Sequence, residues 1–286
     1  MSLAPSHEAT SPGRNRAAAI AIALAAVVFA WTSAAVVGWA SLTTVPGQYL
    51  DEQALRGAGR LTELGERTRQ VLDTLPWIGA AIGALAVAVL SVRARSIRAA
   101  VVGIGVALAA AASVQVLKRL VIDKPDLSVQ EIALNSFPSG HTTMAAVAGM
   151  VLVLAVPRGA RVPVGLVAAL YTALAGASTV VNGWHRPSDV VAAVFITAGW
   201  AMLGSLVLRL GAGLDHEGGT QRGRLLGTVG VVGLLAGTGS VLLAGAAALP
   251  ALAGWSLGWG LLSGVAAILG ACLLSFVVLA VLTRHR

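Results

Sequence analysis

The chain has 286 residues, of which 57% are hydrophobic, and its mean hydropathy is +0.83. Ordinary soluble domains are less apolar, so the composition predicts a polytopic membrane protein. The net charge of +8 is spread over short loops with no basic stripe and no interleaved aromatic residues, which argues against nucleic acid as a partner.

The N-terminal part of the chain is a polar tail followed by an apolar segment. Residues 1–16 are predicted to form a cytoplasmic tail, and residues 17–42 are long enough to cross a membrane as a helix, which needs about 20 residues. A cleaved signal peptide is the alternative, but its apolar region would be shorter. In residues 43–75, apolar side chains recur every three or four positions between charged ones. This pattern predicts an external amphipathic helix, lying on the membrane surface or serving as a solvated linker.

Apolar segments further along predict seven more membrane-spanning helices. Their predicted bounds are residues 76–92, 99–117, 141–156, 162–181, 187–208, 225–249 and 255–282. The predicted fold is an all-α membrane bundle with a six-helix core and two additional C-terminal transmembrane helices. Residues 76–210 are assigned to the central part of the bundle, which contains the polar breaks described below, and residues 211–286 to a cytoplasmic loop and the last two helices.

The distribution of charge orients these eight spans. With an even number of spans both termini share one side, and that side carries twelve of the 20 Lys and Arg residues but three of the 12 acids. The positive-inside rule then makes the termini cytoplasmic. The ends of the third to sixth spans that carry polar motifs fall on the opposite, extracytoplasmic side. We therefore expect a multi-pass protein of the cell membrane whose active site faces outward.

Three polar breaks between the apolar segments carry the side chains that could take part in a chemical reaction. They contain Lys118, Arg119 and Lys124, then Ser139, Gly140 and His141, and finally His185, Arg186 and Asp189. A histidine oriented by a carboxylate can act as a nucleophile, and a second histidine can protonate a leaving oxygen. Lys and Arg side chains neutralise phosphate, and backbone N–H groups at a helix start favour anions. These residue types together suit phosphoryl transfer without a metal.

These breaks resemble the three signatures of the type 2 phosphatidic acid phosphatase (PAP2) superfamily, which also includes vanadium haloperoxidases. The signatures are roughly K-x6-R-P, P-S-G-H and S-R-x5-H-x3-D. The second is complete at residues 138–141, whereas the first is present as Lys118-x5-Lys124-Pro125, one residue short. In the third, the serine, histidine and aspartate are present, but Thr179 occupies the arginine position. The resemblance covers residues 75–210.

The resemblance implies a role for each of these positions. His185 would be the nucleophile that forms a phosphohistidine, and Asp189 would orient its ring. His141 would be the general acid. The predicted substrate-binding residues are Lys118, Arg119, Lys124, Ser139, Gly140 and Arg186, the last as compensation for Thr179. No cofactor and no metal are expected.

The resulting hypothesis is a membrane phosphatase acting on a phosphomonoester or diphosphate of a polyprenyl lipid or glycerolipid. The alternatives are a phosphotransferase and, because of Thr179, a catalytically weak or inactive lipid-phosphate-binding protein. A haloperoxidase is disfavoured because those relatives are soluble, and transport because no charge lies at mid-span depth. Cys272 is the only cysteine, so no intramolecular disulfide forms. The sequence does not distinguish among lipid substrates or oligomeric states.

Overall fold

The computed structural model of the protein describes residues 12–60, 97–131, 134–210 and 221–283, together with isolated positions between 70 and 88. Within these residues there is no strand, and eight α-helices are described. They are α1 (Pro12–Thr43), α2 (Val45–Gly59), α3 (Ile97–Val116), α4 (Gly140–Ala155), α5 (Arg161–Val181), α6 (Pro187–Leu210), α7 (Gln221–Leu252) and α8 (Leu257–Leu282). The prediction of an all-α membrane bundle is confirmed.

Some predicted segments lie outside the described residues. These are residues 1–11 of the predicted tail, residues 61–69 of the predicted amphipathic segment, most of the predicted span 76–92, and residues 211–220 of the predicted cytoplasmic loop. The domain boundaries drawn from the sequence therefore stay predictions.

The composition of the helices is that of a membrane-spanning bundle. Among the described residues, six helices are long and apolar enough to cross a membrane, and α4 is a shorter apolar helix. Large apolar side chains point away from the bundle on its outer helices, among them Phe29 on α1, Leu108 on α3, Val167 on α5 and Leu242 on α7. Such side chains are accommodated where lipid rather than water surrounds the protein.

Helix α6 is the centre of the bundle. In the most apolar 18-residue stretch of α6, 78% of the residues are buried, whereas the value is 22% for the corresponding stretches of α1 and α3. It packs against α1, α3, α4 and α8. The last helix is also part of this core, because Ile268 and Phe276 of α8 are fully buried with Met150 of α4 and Val190 of α6. The last helix is thus built into the bundle and is not peripheral to it, whereas α7 packs mainly on α8.

The ends of several helices meet at one end of the bundle. A π-helical turn, Leu117–Val121, follows α3, and the described residues between this turn and α4, 122–131 and 134–139, form no regular structure. Ser139 caps α4, since its Oγ accepts a hydrogen bond from the Thr142 N–H at 3.2 Å. A short turn with Gly183 at a φ of 75° connects α5 to α6, and Pro187 begins α6, where a helix tolerates proline.

Helix α2 lies across this end of the bundle, and its orientation differs from the expected one. The apolar pattern predicts that its charged side chains face water or the membrane surface. Instead Gln48, Asp51 and Glu52 are buried together with Ala54 and Ala58. The reason is that α2 packs against the beginnings of α6 and α8. Ser188 at the start of α6 and Arg186 just before it are polar partners for the two carboxylates.

Candidate active site

The His185 and Asp189 side chains form the hydrogen bond that their spacing predicts. His185 Nδ1 lies 3.2 Å from Asp189 Oδ2, and both side chains are buried. Asp189 lies in the first turn of α6, so its carboxylate reaches back to the residue that precedes the helix. A carboxylate only accepts hydrogen bonds, so it favours the tautomer with the proton on Nδ1 and leaves Nε2 with a lone pair.

The same carboxylate oxygen is held by two further donors. Ser136 Oγ donates to Asp189 Oδ2 at 2.6 Å, and the backbone N–H of Arg186 donates to it at 2.9 Å. The Asp189 carbonyl accepts from the Ser139 N–H at 3.0 Å, which ties the two histidine-bearing segments together. Sequence reasoning missed Ser136, whose only signal is that it lies in the polar loop just before the P-S-G-H motif.

His141 lies next to His185, although 44 residues separate them in the chain. Their ring centroids are 5.9 Å apart, and the His141 ring also contacts Trp184 at 5.2 Å and Trp77 at 6.3 Å between centroids. His141 is the second residue of α4. The two histidines can therefore face a common phosphorus centre from the attacking side and the leaving-group side.

Ser139 and Gly140 contribute differently to the site. Ser139 is fully buried, and its hydroxyl is engaged with the N–H and the hydroxyl of Thr142. Its side chain therefore serves as the cap of α4. Gly140 begins that helix, and first-turn N–H groups have no carbonyl partner within a helix, so its backbone can bind an anion.

The predicted cationic residues occupy unequal positions. Lys118 and Arg119 both lie in the π-helical turn, where Lys118 is half-buried and close enough to Asp189 to feel its charge, while Arg119 is exposed. Lys124 donates a hydrogen bond to Gln130 Oε1. Burial and the nearby positive charge of Arg186 lower the pKa of Lys124. Lys118 and Lys124 thus both lie close enough to Asp189 for their charges to interact with its carboxylate.

Arg186 is buried beside the pair, and its guanidinium faces α2. Its Nη2 lies 3.8 Å from Glu52 Oε2, and the other oxygen of Glu52 accepts from Arg56 Nε at 2.9 Å. Asp51, the neighbour of Glu52, accepts hydrogen bonds from both the N–H and the hydroxyl of Ser188. Sequence reasoning had placed Asp51 and Glu52 on the polar face of an external helix and assigned them no role.

Thr179 does not direct its hydroxyl to the histidines. The side chain is fully buried and donates to the Gly176 carbonyl at 2.7 Å. Its own carbonyl accepts from the N–H groups of Trp184 at 3.0 Å and His185 at 3.2 Å. Thr179 therefore anchors the turn before His185 through its backbone, and it offers no replacement for the charge of the arginine in the signature that the sequence resembles.

No group of three or more His, Cys, Asp or Glu side chains in the described part of the chain is placed to hold a metal ion. What the site does assemble is a carboxylate-bound histidine, a second histidine, two lysines and a helix N-terminus.

Comparison with protein families supports the resemblance. Residues 119–210, which run from the π-helical turn to the end of α6, match the family model described as PAP2 superfamily. The matched range contains both histidines and Asp189, while Lys118 lies one residue before it. No curated protein and no solved structure matches the chain.

Proposed function

On the premise that residues 119–210 carry a PAP2 superfamily region, we propose that this protein is an integral-membrane lipid phosphate phosphatase. It hydrolyses a phosphomonoester or diphosphate of a lipid at the extracytoplasmic face through a phosphohistidine intermediate. The observation that carries the proposal is the His185–Asp189 hydrogen bond with His141 adjacent, at one end of an apolar helical bundle.

In the first half-reaction His185 Nε2 attacks phosphorus. The N–P bond forms while the bond from phosphorus to the leaving oxygen breaks, and Asp189 stabilises the positive charge that develops on the ring. His141 gives its proton to the leaving oxygen, which departs as an alcohol or, from a diphosphate, as a phosphate. In the second half, His141 takes a proton from water, the water oxygen attacks phosphorus, and the N–P bond breaks to release inorganic phosphate.

The cations stabilise the charge on the phosphoryl oxygens. Lys118 and Lys124 carry this role together with the N-terminal N–H groups of α4 at Gly140. Arg119 is exposed, and Arg186 is neutralised in part by Glu52. Thr179 stands where the signature has an arginine, so one charged donor to the phosphate is missing. This costs about 2–4 kcal/mol of transition-state stabilisation, which slows the reaction without abolishing activity.

The position of the site supports a lipid substrate. The site lies at the ends of helices that are long and apolar enough to span a membrane, so the phosphate of a lipid headgroup could reach it without leaving the bilayer surface. The excess of Lys and Arg on the side of the termini supports an outward orientation for this end of the bundle.

The direct test is phosphate release by the purified protein from polyprenyl phosphates, polyprenyl diphosphates, phosphatidate and phosphatidylglycerol phosphate. We expect release from at least one of them, persisting in EDTA because side chains supply the nucleophile, the acid and the cations. His185→Ala should abolish it. Strict dependence on added Mg²⁺ or Zn²⁺, or equal activity of wild type and His185→Ala, would refute the proposal.

A second candidate, a lipid-phosphate-binding protein with weak or no turnover, is favoured by the contacts of Thr179 and Arg186. Neither side chain offers a free bidentate donor to phosphate in this arrangement. Binding of lipid phosphates without release would support this candidate. Turnover that rises or persists in Thr179→Arg, which restores the family residue, would instead support a working phosphatase with a weakened site.

A further inference from the structure

Helix α2 brings two buried carboxylates against the segment that carries the nucleophile. Asp51 is 6% exposed and Glu52 is 2% exposed, on a helix outside the predicted membrane spans and outside the matched family region. A buried carboxylate is costly unless it is hydrogen-bonded or paired. Both have partners, and the partners are Ser188 and Arg186, the residues on either side of Pro187.

Asp51, which lies on α2, caps the N-terminus of α6. Its Oδ1 accepts from the Ser188 N–H at 3.2 Å, and its Oδ2 accepts from the Ser188 hydroxyl. Pro187 has no N–H, so the Ser188 N–H is the first donor at the N-terminus of α6. A carboxylate there satisfies this donor and interacts favourably with the helix dipole. The next residue, Asp189, holds the His185 ring, so fixing the first turn also fixes this carboxylate.

Glu52 holds the other side of the same turn. It pairs with the Arg186 guanidinium at 3.8 Å, and its second oxygen is fixed by Arg56, which also contacts Glu131 at 3.1 Å. Arg186 follows His185 directly, and its N–H donates to Asp189. The segment from His185 to Asp189 is thus held by Asp51 and Glu52 together.

Helix α8 packs closely against α2 and against the start of α6. At Gly260 an added Cβ would lie 2.6 Å from Gln53 Cβ, and at Gly264 it would lie 2.6 Å from Pro187 Cγ and 3.3 Å from Ala54 Cβ. The two glycines of α8 let α2 and the start of α6 approach closely. The last helix therefore contributes to the geometry of the site although it carries none of the motifs.

We propose that Asp51 and Glu52 are positioning residues for the reaction. They hold His185 and Asp189 in their hydrogen-bonded geometry, Asp51 by capping α6 through Ser188 and Glu52 by pairing with Arg186. The proposal rests on the proposed function. It assigns a role to α2, and it explains why two acids face inward on a helix whose apolar pattern predicts the opposite.

The first test measures kcat and KM of Asp51→Asn and Glu52→Gln. Neither residue contacts substrate, so we expect kcat to fall about 10-fold to 100-fold, as small displacements of reacting groups do, with KM within about 2-fold. The matched control is Asp123→Asn, which changes an exposed acid of the adjacent loop and should leave both constants unchanged within about 2-fold.

A second readout does not require turnover. In protein labelled with ¹⁵N-histidine, the ring nitrogen shifts of His185, assigned by their loss in His185→Gln, report its tautomer. Wild type should hold the proton on Nδ1, whereas Asp51→Asn should show a mixture of tautomers. The double variant Asp51→Asn/Ser188→Ala should lose less kcat than the product of the two single losses, because both substitutions disrupt the same Asp51–Ser188 contact.

The outcomes separate the two proposals. Wild-type kcat and tautomer in Asp51→Asn would overturn the positioning role, as would a loss of thermal stability with kcat and tautomer preserved. If Asp51→Asn fails to fold, Ser188→Ala, which deletes one hydroxyl, carries both readouts with an expected kcat loss of about 3-fold to 10-fold. If wild type releases no phosphate from any lipid, the proposed function fails, and the tautomer comparison still decides the positioning role.

Discussion

Replacing Asp189 with asparagine perturbs the centre of the site while preserving its shape. One carboxylate oxygen, Oδ2, now accepts from His185 Nδ1 at 3.2 Å, Ser136 Oγ at 2.6 Å and the Arg186 N–H at 2.9 Å. Asparagine offers one neutral oxygen and one NH₂ group. If the asparagine oxygen faces the three donors, the hydrogen bonds form but their acceptor is uncharged. If the NH₂ group faces the three donors, no hydrogen bond forms because both sides donate.

The size of the effect follows from these contacts. A hydrogen bond to a charged group contributes about 1.5–3 kcal/mol and a neutral one about 0.5–1.5 kcal/mol, so each of the three contacts loses about 1 kcal/mol. Stability should therefore fall by about 3 kcal/mol. Catalysis should fall further, because the imidazole can adopt the other tautomer, and loss of a tautomer-fixing carboxylate in a catalytic triad lowers kcat by about 10⁴.

The assay is phosphate release at saturating lipid phosphate, together with the melting temperature. Asp189→Asn should lower kcat by about 10³-fold to 10⁴-fold, with a melting temperature several degrees below that of wild type. Asp126→Asn, which alters an exposed acid of the neighbouring loop, should change neither. A kcat within 10-fold of wild type in Asp189→Asn would show that the carboxylate does not set the reactive tautomer.

Three further predictions test the electrostatics, the orientation and the helix packing. Burial and a neighbouring carboxylate raise the pKa of Asp51 from 3.8 to about 7. The folded state therefore binds this proton more tightly than the unfolded chain, so its contribution to stability is full below about pH 4 and is lost by about pH 7. As the pH rises from about 4 to 7, the melting temperature of wild type should fall relative to that of Asp51→Asn. A difference in melting temperature that does not change with pH would contradict the raised pKa of Asp51. In a background lacking the native cysteine, a membrane-impermeant thiol reagent should label Leu127→Cys but not Gly159→Cys in intact cells, and the reverse pattern would invert the orientation. Gly264→Ala should lower kcat because its methyl group would meet the proline that begins α6, whereas Gly245→Ala, with nothing within 4 Å of the added carbon, should not; equal effects would argue against the packing role of α8.

The all-α fold and the relation of His185 to Asp189 could be predicted from the sequence because both depend on local patterns. Long apolar segments fix where helices cross a membrane, and polar breaks with Gly and Pro fix where they end. A histidine four residues before an aspartate, with a proline between them at the helix start, leaves little choice of geometry. The alternating direction of the spans predicts that His141 and His185 lie at the same end of the bundle, but not that their rings are adjacent.

The contacts of α2 could not be predicted in the same way. The apolar pattern of residues 43–75 identifies a helix, and Ala54 and Ala58 are buried as that pattern indicates. Asp51 and Glu52 are buried because of partners more than 130 residues away in the chain, which a local pattern does not contain. The same limit applies to Ser136, and to Arg186, whose sequence position suggests a phosphate donor but whose guanidinium faces Glu52.

The measurement that tests the central claim most directly is the trapping of the covalent intermediate. Protein quenched during turnover of a lipid phosphate labelled with ³²P should carry label that is stable in base and labile in acid, as expected for phosphate bound to a ring nitrogen. The label should map to the peptide containing His185 and should be absent from His185→Ala. Turnover without any acid-labile labelled protein, or label that persists in His185→Ala, would contradict the account.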